Sequence, residues 1–452
     1  MSEKKTLALI LIYFIAFAIT LTFIVPPFES PDEDLHLDYI NYLSKYGKLP
    51  NQYEDYKNPA MYVGQGHQPP LYYILMSSIN YIINNGKEVK LIINHNKKHS
   101  LFGGTEGKVP NFDYYNVNAF PDVGTKRMFY LFRIISILFG VVTLLYVYKT
   151  IKLVFEDKRI ILLSLFVAAS TPQFVFMNAV INNDSLAIMF MSMVVYYFFR
   201  IITNPTGLKD YLIAGILIGI SVITKKTLLF AVPGVIILSL YFMYKNKTER
   251  VIILKNVSVL LLIAIIVSAA YFIRNQMFYG DLLGSQMELD TMPQHIEHKS
   301  LFSSFFIFKF FPTIYHSYIG SFGWMNVKLP LLIYGLVSLV FISSVAGYAA
   351  HIRTTAFSNT YVNYGFILIV LAIGVLAYAN LSFTQAQGRY MLPLISVISI
   401  NIVYGLNLLT DKFKAKTHLN KVYTGTAAIM ILSALASIYT IYKFYFTADV
   451  YN

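Results

Sequence analysis

Apolar runs recur along this chain, each about as long as a helix that crosses a bilayer, with polar turns between them. They lie near 6–26, 126–149, 160–180, 185–201, 209–224, 227–244, 251–273, 330–350, 362–381, 390–410 and 421–445. A hydrocarbon core is about 30 Å thick and a helix climbs about 1.5 Å per residue. The pattern predicts an all-α, polytopic transmembrane protein with about eleven spans, one transmembrane domain over 1–452. Two polar stretches, 27–125 and 274–329, are too long to be turns. Each holds a shorter apolar piece. Pro70 to Ile83 has about fourteen residues, short for a crossing, and is expected to re-enter or lie on the membrane surface. Phe302 to Phe311 is expected to be interfacial too.

Basic residues set the orientation, because Lys and Arg concentrate on the cytoplasmic side. With Lys4 and Lys5 inside, the clusters Lys149/Lys152/Lys158/Arg159, Arg200/Lys209, Lys245/Lys247/Arg250/Lys255, His351/Arg353 and Lys412/Lys414/Lys416/Lys421 all fall inside. Counting Pro70–Ile83 as a span would invert every later turn. The expected register therefore has the N-terminus in and the C-terminus out of the cytoplasmic (plasma) membrane. The stretches 27–125 and 274–329 become outer loops with juxtamembrane helices. Leu7 to Val25 follows two lysines, as a signal peptide would. It is too long for one, and Pro26-Pro27-Phe28-Glu29 lacks a small-residue cleavage site. It reads as an uncleaved first span. No inverted repeat and no low-complexity tail is visible.

Composition agrees with the pattern. Of 452 residues, 56% are hydrophobic and 13% charged, against about a quarter charged in soluble domains; mean hydropathy is +0.56. Tyr 36 and Phe 35 far exceed Trp 1; a Tyr suits an interface, ring buried and hydroxyl wet. The net charge of +13 follows from the cytoplasmic bias, with some excess available to anionic head groups. Because Lys and Arg sit in short turns between apolar spans, no nucleic-acid-binding face forms. The absence of Cys excludes disulfides, a thiol nucleophile and Cys-based metal sites.

Candidate chemistry gathers at the outer ends. Glu29-Ser30-Pro31-Asp32-Glu33-Asp34-Leu35-His36 crowds five ionisable groups at the membrane surface after the first span. Ser30 or Asp32 suits a helix cap, and the carboxylates suit a general base or a cation site. Gly64-Gln65-Gly66-His67-Gln68-Pro69-Pro70-Leu71-Tyr72-Tyr73 sets His67 and Gln68 at a proline-fixed corner. Asn182-Asn183-Asp184-Ser185 is a tight turn in which Asp184 either caps a helix or faces the cluster. Thr224-Lys225-Lys226-Thr227 puts two lysines on the outer side, against the trend; head groups or an anionic ligand would explain them. Arg274-Asn275, with Tyr279-Gly280-Asp281, opens the second loop. Ser321-Phe322-Gly323-Trp324 suits a belt anchor. Gln385-Ala386-Gln387-Gly388-Arg389-Tyr390 offers a two-pronged guanidinium beside a glycine, well shaped for phosphate. A carboxylate base with phosphate-binding cations is what sugar transfer from a lipid phosphate needs.

The Pro-Asp-Glu motif after the first span, His67-Gln68-Pro69-Pro70-Leu71-Tyr72-Tyr73 and Gln387-Gly388-Arg389-Tyr390-Met391-Leu392-Pro393-Leu394 together resemble the GT-C class of membrane glycosyltransferases. That class includes protein O-mannosyltransferases and the aminoarabinose transferase of lipid A. The likeness is greatest to a GT-C-like family of bacterial membrane proteins. Thr171-Pro172-Gln173-Phe174, Asn182-Asn183-Asp184 and Arg274-Asn275 add to it, so it runs over nearly the whole chain. The chain lacks the large soluble C-terminal domain of oligosaccharyltransferases, and has His-Gln-Pro-Pro where relatives often show His-Pro-Pro or Lys-Pro-Pro.

The resemblance implies an inverting transferase using a polyprenyl-phosphate-linked sugar and a glycan, lipid or protein acceptor of the cell envelope. Asp32 or Glu33 would be the catalytic base. Lys225, Arg274 and Arg389 would bind the donor phosphate. His36, His67, Gln68, Asp184, Tyr279, Asp281, Gln387 and Tyr390 would support them. No cofactor follows with certainty; a divalent metal stays open. Two other classes remain: a lipid or polysaccharide transporter or flippase, which needs polar groups along the spans, and a non-catalytic envelope-assembly partner.

Overall fold

A computed structural model describes residues 2–53, 64–98, 109–113, 119–291, 299–355, 357–412 and 416–446. The remaining parts of 27–125 and 274–329 lie outside the described residues. The helices are α1 (Glu3–Ile24), α2 (Glu33–Tyr46), α3 (Leu71–Asn84), α4 (Val123–Val154), α5 (Lys158–Ala169), α6 (Pro172–Met177), α7 (Asp184–Thr203), α8 (Leu208–Val222) and α9 (Ala231–Lys245). They continue as α10 (Arg250–Tyr279), α11 (Ser285–Thr291), α12 (Phe311–Gly320), α13 (Leu331–Ala350), α14 (Thr360–Ala379), α15 (Ile395–Lys412) and α16 (Lys416–Phe446). Two short antiparallel pairs, Asn94–His95 with Phe112–Asp113 and Ser321–Phe322 with Val327–Lys328, are the strands described.

Among the described residues, nine helical stretches are long and apolar enough to cross a membrane. This is a multi-pass membrane protein. The nine coincide with nine of the eleven apolar runs; the other two differ for local reasons. The run 160–180 breaks after Ala169, where Pro172 opens the six-residue α6, since proline cannot donate within a helix but suits its first turn. The run 209–224 yields α8, 15 residues long, ended by a turn before the short 3-10 helix Lys226–Phe230.

Side-chain oxygens start several helices: Asp122 accepts from the Thr125 N–H at 2.8 Å, and Asn359 from Tyr361 and Val362, meeting donors a helix start leaves unpaired. Inside the bundle α8 packs on α10, α4 on α7 and α13 on α15. Gly215 permits the first contact, because a Cβ there would stand 2.6 Å from the Leu260 carbonyl oxygen.

The two long interruptions meet each other. Arg274 reaches the Pro50 carbonyl, the Tyr279 hydroxyl accepts from the Gln52 N–H, and the Trp324 indole donates to the Phe28 carbonyl. Helix α3 buries Tyr72, Tyr73, Met76 and Asn80 while exposing Tyr81 and Ile82. That is a one-sided 3.6-residue pattern, and its buried side packs on α2.

Candidate functional site

Glu33, the first residue of α2, is fully buried. Its carboxylate accepts from Arg133 Nε at 2.8 Å and Nη2 at 2.7 Å, and from the N–H groups of Phe28 and Ile181, each at 2.9 Å. Arg133, in α4, also donates to the carbonyls of Thr22, Val25 and Pro26. One guanidinium thus caps the end of α1 and grips the start of α2. A carboxylate so fully engaged has no lone pair facing a reactant, so the expectation that Glu33 serves as the base gives way to a structural role.

Asp32 differs. It stands at the N-cap with φ 64°, in the left-handed region, and its side chain makes no capping bond. Asp tolerates that conformation better than most residues, yet it is uncommon and often marks a constrained site. The carboxylate turns to Arg389, whose Nη2 lies 3.1 Å away, and is 27% exposed.

Three further segments deliver charge to the same place. Asp184 is the first residue of α7 and is buried. Lys225, in the turn after α8, places its ammonium on the Asp184 carboxylate, and 3.4 Å from Asn183 Oδ1. Arg389 lies in the 3-10 turn Gly388–Leu394 that feeds α15, its Nη1 3.8 Å from Asp184 Oδ2. Gly388 makes this possible: its N–H donates to Ser317 Oγ at 2.7 Å, and a Cβ would meet the Tyr318 nitrogen at 2.1 Å. Tyr390 turns its ring toward both cations and its hydroxyl to Gln385 Oε1 at 2.8 Å.

The quartet Asp32, Asp184, Lys225 and Arg389 is electrically balanced but incompletely bonded. Arg389 Nε and Nη1, Asp184 Oδ2 and Asn183 Nδ2 are buried without a hydrogen-bond partner. Leaving such atoms unpaired costs about 1–3 kcal/mol each, and more for charged groups, so the arrangement is poised for a polar ligand. Asp32 and Asp184 also sit at the starts of α2 and α7, where the peptide dipoles favour anions. Among the described residues, no three His, Asp or Glu side chains are placed to hold a metal ion.

Sequence reasoning expects His36 to orient Asp32 from one turn along α2. Instead its Nδ1 is 2.8 Å from the Tyr73 hydroxyl, and Tyr73 stacks on Tyr39 at 3.9 Å. Burial, opposed by the Asp32 charge, pushes the His36 imidazole down to about 4, so the ring is neutral at physiological pH.

Other expected residues form a second cluster. Arg274 donates to the Pro50 and Gly66 carbonyls and to the Tyr279 hydroxyl. The His67 N–H donates to Gln52 Oε1, and the His67 ring nitrogen Nε2 lies 3.1 Å from Gln68 Nε2. Arg274 thus has a different set of partners from Lys225 and Arg389: its bonds go to the Pro50 and Gly66 carbonyls, the Tyr279 hydroxyl and Asn275 Oδ1, and its Nε is left without a partner. Asp281 accepts from the N–H groups of Leu283, Ser285 and Gln286 as a turn and helix cap. Gln387 is extended, with its carbonyl accepting from the Tyr390 N–H at 3.3 Å. Sequence reasoning missed Arg133 and gave no role to Tyr73 or Asn183 within the motifs it quoted; an Arg seven positions inside the run 126–149 was the available signal for the first, since charges at membrane depth need a partner.

The sequence profile of the dolichyl-phosphate-mannose-protein mannosyltransferase family matches residues 123–273, the stretch that carries Arg133, Asp184 and Lys225. Among curated proteins no sequence matches the chain. The crystal structure of ArnT from Cupriavidus metallidurans bound to undecaprenyl phosphate is similar over 96% of this chain and 77% of that one, with TM-score 0.56 and 11% identity. ArnT in the apo state gives TM-score 0.52 at 11% identity, over 96% of this chain and 76% of that one. The S. cerevisiae Pmt1-Pmt2 complex bound to its sugar donor gives TM-score 0.40 and 19% identity, over 62% of this chain and 34% of that one. The chain therefore has the polytopic helical fold of ArnT.

Proposed function

We propose that this chain is a membrane glycosyltransferase, moving a sugar from a polyprenyl-phosphate donor to a cell-envelope acceptor with inversion. The observation that carries the reading is the buried Lys225–Arg389 pair, with two guanidinium nitrogens unbonded, set against Asp32. The ArnT fold and the ligand of that crystal structure, undecaprenyl phosphate, support it. The acceptor hydroxyl attacks the anomeric carbon as Asp32 takes its proton. The bond from that carbon to the phosphate oxygen breaks on the opposite side. The departing polyprenyl phosphate keeps the electron pair, and Arg389 and Lys225 hold its charge. A phosphate leaves without being protonated, so one carboxylate suffices. Of the two carboxylates in the quartet Asp32 is the better base, because Asp184 is only 2% exposed and already carries Lys225.

The site is assigned to the outer face, with the N-terminus in. The cysteine-free chain makes this simple to test. A membrane-impermeant maleimide on intact cells should label His95→Cys and spare Asn420→Cys; the opposite pattern reverses the register. The function is tested in nanodiscs with undecaprenyl phosphate as probe. Wild type should bind it saturably, and Arg389→Ala and Lys225→Ala should each weaken binding about a hundredfold, the loss of charge-assisted bonds to a phosphate. Wild-type affinity in both variants would overturn the reading.

A further inference from the structure

Resting on that reading, we infer that Tyr390 is the positioning residue that holds Lys225 and Arg389 to receive one shared phosphate. The two cations come from turns far apart in the chain, yet both address the same ring. Lys225 Nζ is 5.1 Å and Arg389 Cζ 5.4 Å from its centroid. Two buried cations brought this close repel each other. The negative π-face of a tyrosine attracts each of them without forming a hydrogen bond. A carboxylate does the same job differently, by taking up the N–H groups that a ligand needs. Asp184 already engages the lysine, and a second such partner would leave the site saturated. The ring holds the cationic heads and leaves Arg389 Nε and Nη1 open.

The ring itself is fixed from two sides. Its hydroxyl donates to Gln385 Oε1 at 2.8 Å. Its backbone follows Gly388, which is pressed onto α12 and bonded to Ser317. The 3-10 turn therefore sets the arginine and its aromatic seat together. Tyr390 touches neither the transferred proton nor the breaking bond; it acts through the two cations, which bind the donor phosphate and hold its charge as it leaves, so its loss should fall on donor affinity and, to a smaller extent, on kcat.

The test replaces Tyr390 in the full chain with Phe, and then with mono-, di- and trifluorinated phenylalanines introduced by codon suppression. Fluorine drains the π-face with little change in shape. Undecaprenyl phosphate binding in nanodiscs is the readout, with thermal midpoint as the folding control. Tyr390→Phe keeps the ring but loses the hydroxyl, with its bond to Gln385 and its interaction with Arg389, and so sets the baseline of the series; the fluorinated phenylalanines should weaken binding stepwise from that baseline to about tenfold at constant thermal midpoint. Tyr390→Leu should raise the donor KM by about tenfold or more, with a smaller drop in kcat. A flat response to fluorination, with Lys225→Ala and Arg389→Ala still losing binding, overturns the positioning role alone. Wild-type binding in Lys225→Ala and Arg389→Ala overturns the donor-phosphate reading, and the inference with it.

Discussion

Asp32 and Glu33 are chain neighbours, and each meets an arginine, but the two pairs differ in what is left over. Glu33 and Arg133 are both fully buried, and beyond each other their oxygens and N–H groups have partners drawn from the end of α1, the link that follows it and the turn before α7. Asp32 and Arg389 sit at 3.1 Å with the carboxylate partly exposed and two guanidinium positions unbonded. A saturated buried pair fixes geometry, because any movement strands a charge away from water. An unsaturated one keeps binding capacity. The first pair anchors the backbone on which the second is displayed. The partition follows from side-chain direction: consecutive residues at a helix start point to different sides, so Glu33 enters the bundle when Asp32 faces the cluster.

The comparison breaks most violently at Arg133. Arg133→Met leaves the Glu33 carboxylate buried without its cation, a loss of about 3–5 kcal/mol. Detergent-solubilised protein should show a sharply lower thermal midpoint or fail to accumulate, and Arg133→Met combined with Glu33→Leu should recover part of it. An Arg133→Met protein as stable as wild type would mean the clamp carries no stability.

A smaller effect is expected at Arg389. Arg389→Lys keeps the charge but loses the planar fork, so undecaprenyl phosphate affinity should drop about tenfold with the thermal midpoint unchanged. Unchanged affinity would show that a point charge is enough.

A further effect, read through pH rather than through the donor, concerns Glu29, just before the motif. Burial pushes its carboxyl up to about 8 from an ordinary 4.5, against the backbone N–H groups of Phe112 and Asn111. A raised acid favours the folded state while protonated. Its contribution is therefore complete below pH about 4.5 and is lost as pH rises through about 8. The thermal midpoint of wild type should fall across that window, and Glu29→Gln should flatten the slope. An equally steep fall in Glu29→Gln would place the titration elsewhere.

Much of this architecture is legible in the sequence, because a bilayer imposes a strong pattern. Apolar runs mark the spans, and Leu71–Asn84 differs from them in its length, 14 residues. The charged residues of the quartet also stand out, since Lys225 breaks the charge trend and Arg389 adjoins a glycine that only a close backbone contact explains. What the sequence leaves open is pairing. Nothing in the linear order separates Asp32 from Glu33, because the difference lies in Arg133, one hundred positions away in space-filling contact. Arg274 and Arg389 likewise look alike in sequence, both being basic residues near the ends of helices. Their different partners are what the fold adds: it carries the carbonyls of Pro50 and Gly66 to Arg274, and the Asp32 carboxylate to Arg389.

The central claim is that the open carboxylate is the base, and Asp32→Asn tests it most directly. Asn caps a helix and tolerates a left-handed backbone about as well as Asp, but it cannot take a proton. With undecaprenyl-phosphate-linked sugars supplied to the protein in nanodiscs, Asp32→Asn should bind undecaprenyl phosphate yet transfer sugar about 10²–10⁴-fold more slowly. Transfer at the wild-type rate by Asp32→Asn would contradict the account.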